Sequence, residues 1–149
     1  MIKAILLICT LTLFANAKEL KDPEVIYLKK CQMCHALQGP ENMEEKRAMA
    51  APYITLAMKS VVTGVDAIEE PKNNKELRAL VIEHIEDYIF NPTADKSYCE
   101  DIIFKNYNYM PSLKRFITPK QASIVAPWIY DNFAPIKYRE DWKIVKLED

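Results

Sequence analysis

Cys31-Gln32-Met33-Cys34-His35 is the stretch whose residue types and spacing could do chemistry. Two thiols three positions apart, with a histidine directly after the second, match the attachment pattern of a c-type haem. The spacing has a mechanical reason: each thiol adds to one porphyrin vinyl group, and the next residue is then held beneath the iron. Cys31 and Cys34 are therefore candidate thioether donors and His35 the candidate proximal ligand. Two other chemistries use a Cys-x-x-Cys pair. Zinc needs further ligands at similar spacing, and downstream the chain adds only His84 and Cys99, which form no finger-like pair. A thioredoxin-like redox site belongs to a βαβ context, whereas the pattern around this motif is helical.

Asn108-Tyr109-Met110-Pro111 is the second informative stretch. A methionine followed by proline, in a tyrosine-rich non-helical segment ahead of the last helix, suits a distal haem ligand. The thioether is a soft donor, and Met/His ligation raises the potential of a haem iron. Alone, Met110 would read as core filler; the upstream motif makes it a candidate ligand. His84 is the alternative second ligand, although a histidine on an apolar helical stripe is more often packed and hydrogen-bonded to a carbonyl. Cys99 is most simply a small buried hydrophobe.

These groups need helices to position them, and the pattern predicts an all-α chain. Asp22 and Pro23 open a first helix running to His35, with Asp22 as N-cap. Residues 36–51 are polar, with room for one short helical turn, and Pro52 heads an apolar helix over 52–63. Leu77, Leu80, Val81, His84, Ile85, Tyr88 and Ile89 recur at helical spacing, so Lys75 to Phe90 is an amphipathic helix stopped by Asn91-Pro92. A short helix is expected from Tyr98 to Asn106, with Cys99, Ile102 and Ile103 facing in. Thr118-Pro119-Lys120-Gln121 makes a capping box for the last helix, which Pro127 should bend and Ala134-Pro135 should end. Trp142 in the tail should pack back on the body.

Residues 1–17 read as an export signal: Lys3, an apolar core from Ala4 to Phe14, then Ala15-Asn16-Ala17 as the cleavage site. That core is too short to span a bilayer, so no membrane span is expected after cleavage. The remaining domain, residues 18–149, keeps Cys31, Cys34 and Cys99. An odd number of cysteines suits two thioethers and a free thiol better than a disulfide scaffold. With half the residues apolar a core can form, and a net charge of −1 argues against nucleic acid as a partner. The charge is unevenly spread. From Ile102 to Tyr130 the charged side chains are Lys105, Lys114, Arg115 and Lys120, all positive, whereas Gly64 to Asp101 holds ten acids against four bases.

Taken together, the motifs make the chain resemble a bacterial single-haem class I cytochrome c. Cys31, Cys34 and His35 match the haem-binding motif, Met110-Pro111 the distal-ligand motif, and Ala126 to Asp131 the closing helix. The resemblance implies the cytochrome c fold, helices wrapped around one covalent haem c, with Tyr27 of the first helix against Trp128 and Val125 of the last. It implies that the His35 ring donates to a proline carbonyl, Pro52 being the first choice and Pro40 the alternative. Pro52, Tyr53 and Tyr109 are the further cofactor contacts so implied; Tyr109 stands where the family often has glycine. The implied function is periplasmic electron carriage between redox partner proteins, with no catalytic residue. Rivals are a haem subunit of a periplasmic oxidoreductase, and a five-coordinate haem enzyme or gas sensor in which Met110 is not bound.

Overall fold

The computed structural model describes residues 21–99 and 101–139, and among them every regular element is helical. The chain runs through α1 (Pro23–Lys30), α2 (Met43–Ala48), α3 (Ile54–Glu69), α4 (Asn74–Phe90), α5 (Asp101–Asn106) and α6 (Pro119–Phe133), followed by a 3-10 turn at Ile136–Tyr138. The all-α expectation therefore holds. The expected signal peptide, the inward face of Ile102 and the packing of Trp142 lie outside the described residues.

Helix ends follow the sequence chemistry. Asp22 accepts from the backbone N–H of Glu24 and Val25, which satisfies two amides that have no partner inside α1. The capping box of α6 is complete: Thr118 Oγ1 accepts from Gln121 N, and Gln121 Oε1 accepts from Thr118 N. Pro127 lies inside α6 without ending it. α1 is shorter than expected because the chain leaves the helix at Cys31 and tightens into a turn, with Cys34 N and His35 N both donating to Cys31 O.

α3 is longer than expected. It continues through Gly64 to Glu69 and stops at Glu70, whose left-handed φ of 48° precedes Pro71. The helix continues through Gly64, and the space where a side chain would stand there is filled: a Cβ would lie 2.5 Å from Cδ1 of Tyr98. The glycine is a docking notch for that ring.

α1, α3 and α4 all pack on α6. Their shared core includes Ile26, Tyr27, Val62, Val65, Leu77, Val81, Val125 and Tyr130, each at most 1 % exposed. Tyr27 packs against both Trp128 and Phe133, with ring centroids 5.4 and 5.8 Å away. Tyr27 against Trp128 is the contact expected of the first and last helices. The 3-10 turn after α6 is strapped down by Tyr130 Oη donating to Tyr138 O and Tyr138 Oη donating to Asp66.

Candidate functional site

The helices leave an apolar-walled cavity of about 190 Å³ beside the Cys-x-x-Cys-His turn. Its wall is built from three segments that bear candidate ligands. The turn after α1 brings Cys31, Cys34 and His35; the segment before α6 brings Tyr109, Met110 and Pro111; α4 and the loop after it bring His84, Tyr88, Tyr98 and Cys99. Ile54, Met58, Val61, Ile85 and Ile89 fill much of the remaining surface.

The proximal side is fixed by hydrogen bonds. His35 Nδ1 lies 2.8 Å from the Pro52 carbonyl oxygen. A carbonyl can only accept, so the proton is on Nδ1 and Nε2 keeps its lone pair. Burial pushes the ring toward the neutral form, with the Pro52 bond opposing more weakly. Tyr27 Oη donates to His35 O, and Ile54 N donates to Ala36 O at 2.9 Å, tying the start of α3 to the residue after the histidine. The ring is thus fixed by Pro52 and its backbone by Tyr27 and Ile54, with one ring nitrogen available for a metal, the arrangement expected of a ligating histidine. Of the two prolines considered from the sequence, Pro52 holds the ring.

Both motif cysteines are free thiols, as is Cys99. Burial, with Cys34 contributing less, pushes the Cys31 thiol up to about 11, so it stays protonated at neutral pH.

Met110 reaches the cavity because its loop is pinned to the end of α4. Leu113 N donates to Ile89 O at 2.9 Å and Ser112 Oγ donates to Phe90 O at 2.6 Å. These are two of the last carbonyls of α4, which have no partner inside their own helix. Tyr109 also borders the cavity, although it is 57 % exposed. Tyr53 does not; its ring instead covers Gly39.

The wall formed by His84, Tyr88, Tyr98 and Cys99 is the part that sequence reasoning underweighted. His84 stacks on Tyr88 at 5.4 Å and meets the edge of Tyr98 at 4.7 Å. Its placement on the α4 stripe was the available signal; the 91–99 loop that completes the wall has no periodicity to read.

The residues fit a covalent haem. Two free thiols, a neutral imidazole with a free Nε2 and a thioether border one apolar cavity, and each donor suits that group. Among the described residues, no group of three or more His, Cys, Asp or Glu is placed to hold a bare metal ion.

An uncharacterised protein of Aquifex aeolicus (strain VF5) is 30 % identical over 120 residues, covering 79 % of this chain and 74 % of the relative. The chain belongs to that protein's family. No protein-family model matches it, and no solved structure does.

Proposed function

We propose that the chain is an exported electron carrier of the class I cytochrome c type, holding one haem c through Cys31 and Cys34 with His35 and Met110 as axial ligands. The observation that carries this reading is that Cys31, Cys34, His35 and Met110 line a single apolar cavity, with the His35 Nδ1 engaged by the Pro52 carbonyl. When bound, the haem supplies a one-electron ferric/ferrous couple.

The chain's own residues do the rest. Cys31 and Cys34 tether the macrocycle, and the Pro52 carbonyl fixes the His35 ring and makes Nε2 a better donor. Tyr27 braces the backbone beneath it. Met110 would supply the second protein donor, and an iron so held would keep no open position for a substrate, which favours a carrier over an enzyme. The apolar wall excludes water and, with the methionine ligand, favours the reduced state. The redox partners are other proteins, and the periplasm is the expected compartment. Among the described residues no helix is long and apolar enough to cross a membrane.

An optical spectrum of the exported protein tests the proposal. A carrier shows reversible one-electron reduction, a weak long-wavelength iron–sulfur band when oxidised, and no carbon monoxide binding when reduced. Ready carbon monoxide binding by the unmodified protein would support the five-coordinate enzyme or sensor instead.

A further inference from the structure

The cavity wall holds a second imidazole that the carrier reading does not use. His84 packs between Tyr88 and Tyr98, and neither of its ring nitrogens has a hydrogen-bond partner among the described residues. No fully buried side-chain nitrogen or oxygen there lacks a partner either. The imidazole nitrogens are therefore not sealed inside the protein, and His84 is one of the residues that line the cavity. An imidazole in such a position can hold or release a proton toward whatever occupies the cavity.

Its neighbours are arranged so that it is the group that changes charge. On α4, Asp87 is held by Lys96 and Asn91, well below the usual carboxylate range, and stays ionised. From the 91–99 loop come Lys96, Tyr98 and Cys99, and from α4 itself Tyr88. Burial holds both tyrosines and the thiol above their ordinary values, so all three stay neutral near pH 7. The same cavity is lined by Lys30, Tyr27 and the motif residues from the α1 side, and by Tyr107 and Tyr109 from the distal loop. α3 and α6 present no titratable side chain to the cavity. Burial lowers the His84 value, Asp87 opposing and Lys96 adding to the effect, so the ring is neutral at pH 7.

Resting on the haem proposal, we propose that His84 links electron transfer to proton uptake: as the site takes one electron from a donor protein, the His84 ring takes one proton from solvent. The balance is one electron to the iron and one proton to an imidazole nitrogen, and both leave on reoxidation. The sign follows from electrostatics. An added negative charge in a poorly polarisable cavity favours the imidazolium, so the ring binds its proton more tightly in the reduced protein. The reduction potential then falls as pH rises between the oxidised-state and reduced-state values of His84. The limit is a tenfold change in the equilibrium per pH unit, about 59 mV for one electron.

The test is potentiometric titration of the full exported, haem-loaded protein across about pH 5 to 8, a range that brackets the ordinary histidine value, compared with His84→Gln. The wild type should show the sloping window and His84→Gln a flat profile with an unchanged visible spectrum. Nuclear magnetic resonance of the His84 ring in wild type, which needs no variant to fold, should give a higher titration midpoint in the reduced than in the oxidised state. Equal midpoints, or a slope that survives His84→Gln, would overturn the proposal while leaving the haem reading intact. So would a visible spectrum altered by His84→Gln, because the ring would then be an iron ligand. Absence of haem from the purified protein would instead remove the reading on which the proposal rests.

Discussion

Gly64→Ala is the substitution whose sign the structure reverses. In an ordinary helix interior, replacing glycine by alanine stabilises by about 1 kcal/mol, because alanine loses less backbone entropy and exposes less backbone. Here the added methyl would lie 2.5, 2.6 and 2.7 Å from Cδ1, Cβ and Cγ of Tyr98. Favourable carbon–carbon separation is about 3.5–4.0 Å, so Tyr98 must move by roughly 1 Å. A rotamer change cannot supply that movement, since one of the atoms met is Cβ, which travels with the backbone. Forcing an extra methyl into a packed contact costs about 1–3 kcal/mol. Against the helix gain of about 1 kcal/mol, the net is a loss of about 0–2 kcal/mol. Urea denaturation of wild type, Gly64→Ala, Tyr98→Gly and the double variant separates the two contributions. Gly64→Ala should destabilise the wild type yet stabilise the Tyr98→Gly background, where the clashing atoms are gone. A stabilisation of about 1 kcal/mol in both backgrounds would refute the packing of Tyr98 on α3, and with it the placement of the wall that carries His84.

Four further outcomes are expected. Tyr27→Phe should lose about 1 kcal/mol in chemical denaturation, since it deletes the hydroxyl that donates to His35 O and leaves that carbonyl short of a partner. Thr118→Ala should lose about 1 kcal/mol with the capping box of α6, measured the same way. Met110→Ala should make the reduced protein bind carbon monoxide. Met33→Ala should not, because Met33 is 85 % exposed; nor should Met58→Ala, which should instead cost about 2–5 kcal/mol because Met58 is 2 % exposed. Reduction by an anionic small-molecule donor should slow as salt rises from about 0.01 to 0.15 M, where the screening length falls from roughly 30 to 8 Å. The exposed Lys114 and Arg115 follow the distal loop directly, so Lys114→Glu/Arg115→Glu should weaken that dependence; a rate that is flat or climbs with salt would count against the positive face.

How far the sequence could be read depended on whether local rules decided each feature. α4 and α6 were legible because their apolar spacing and caps agree, and the Asp22 cap marked the start of α1 for the same reason. The far end of α1 was misjudged because the motif residues continue a helical spacing while their backbone tightens into a turn at Cys31. α3 was cut short because Gly64 and the acids after it look like a linker; the ring that fills the glycine notch comes from Tyr98, 34 positions downstream. The candidate site divides in the same way. Cys31, Cys34, His35 and Met110 were named from motif chemistry and border one cavity, and the His35–Pro52 bond was anticipated from family likeness. Tyr53 is expected there as a cofactor contact beside Pro52, yet its ring lies against Gly39. The importance of His84 was hidden, because a helical stripe shows that a side chain faces inward but not whether it meets packed atoms or a cavity.

The central claim, one haem held through two thioethers, is tested most directly by intact mass spectrometry of the protein purified from a host that exports it and attaches c-type haem. The account predicts a single species starting at Lys18, heavier than the polypeptide by one haem, with the haem retained under denaturing conditions. The Cys31→Ala/Cys34→Ala double variant should have the bare polypeptide mass. A wild-type mass equal to the bare polypeptide, or a Cys31–Cys34 disulfide in its place, would contradict the account.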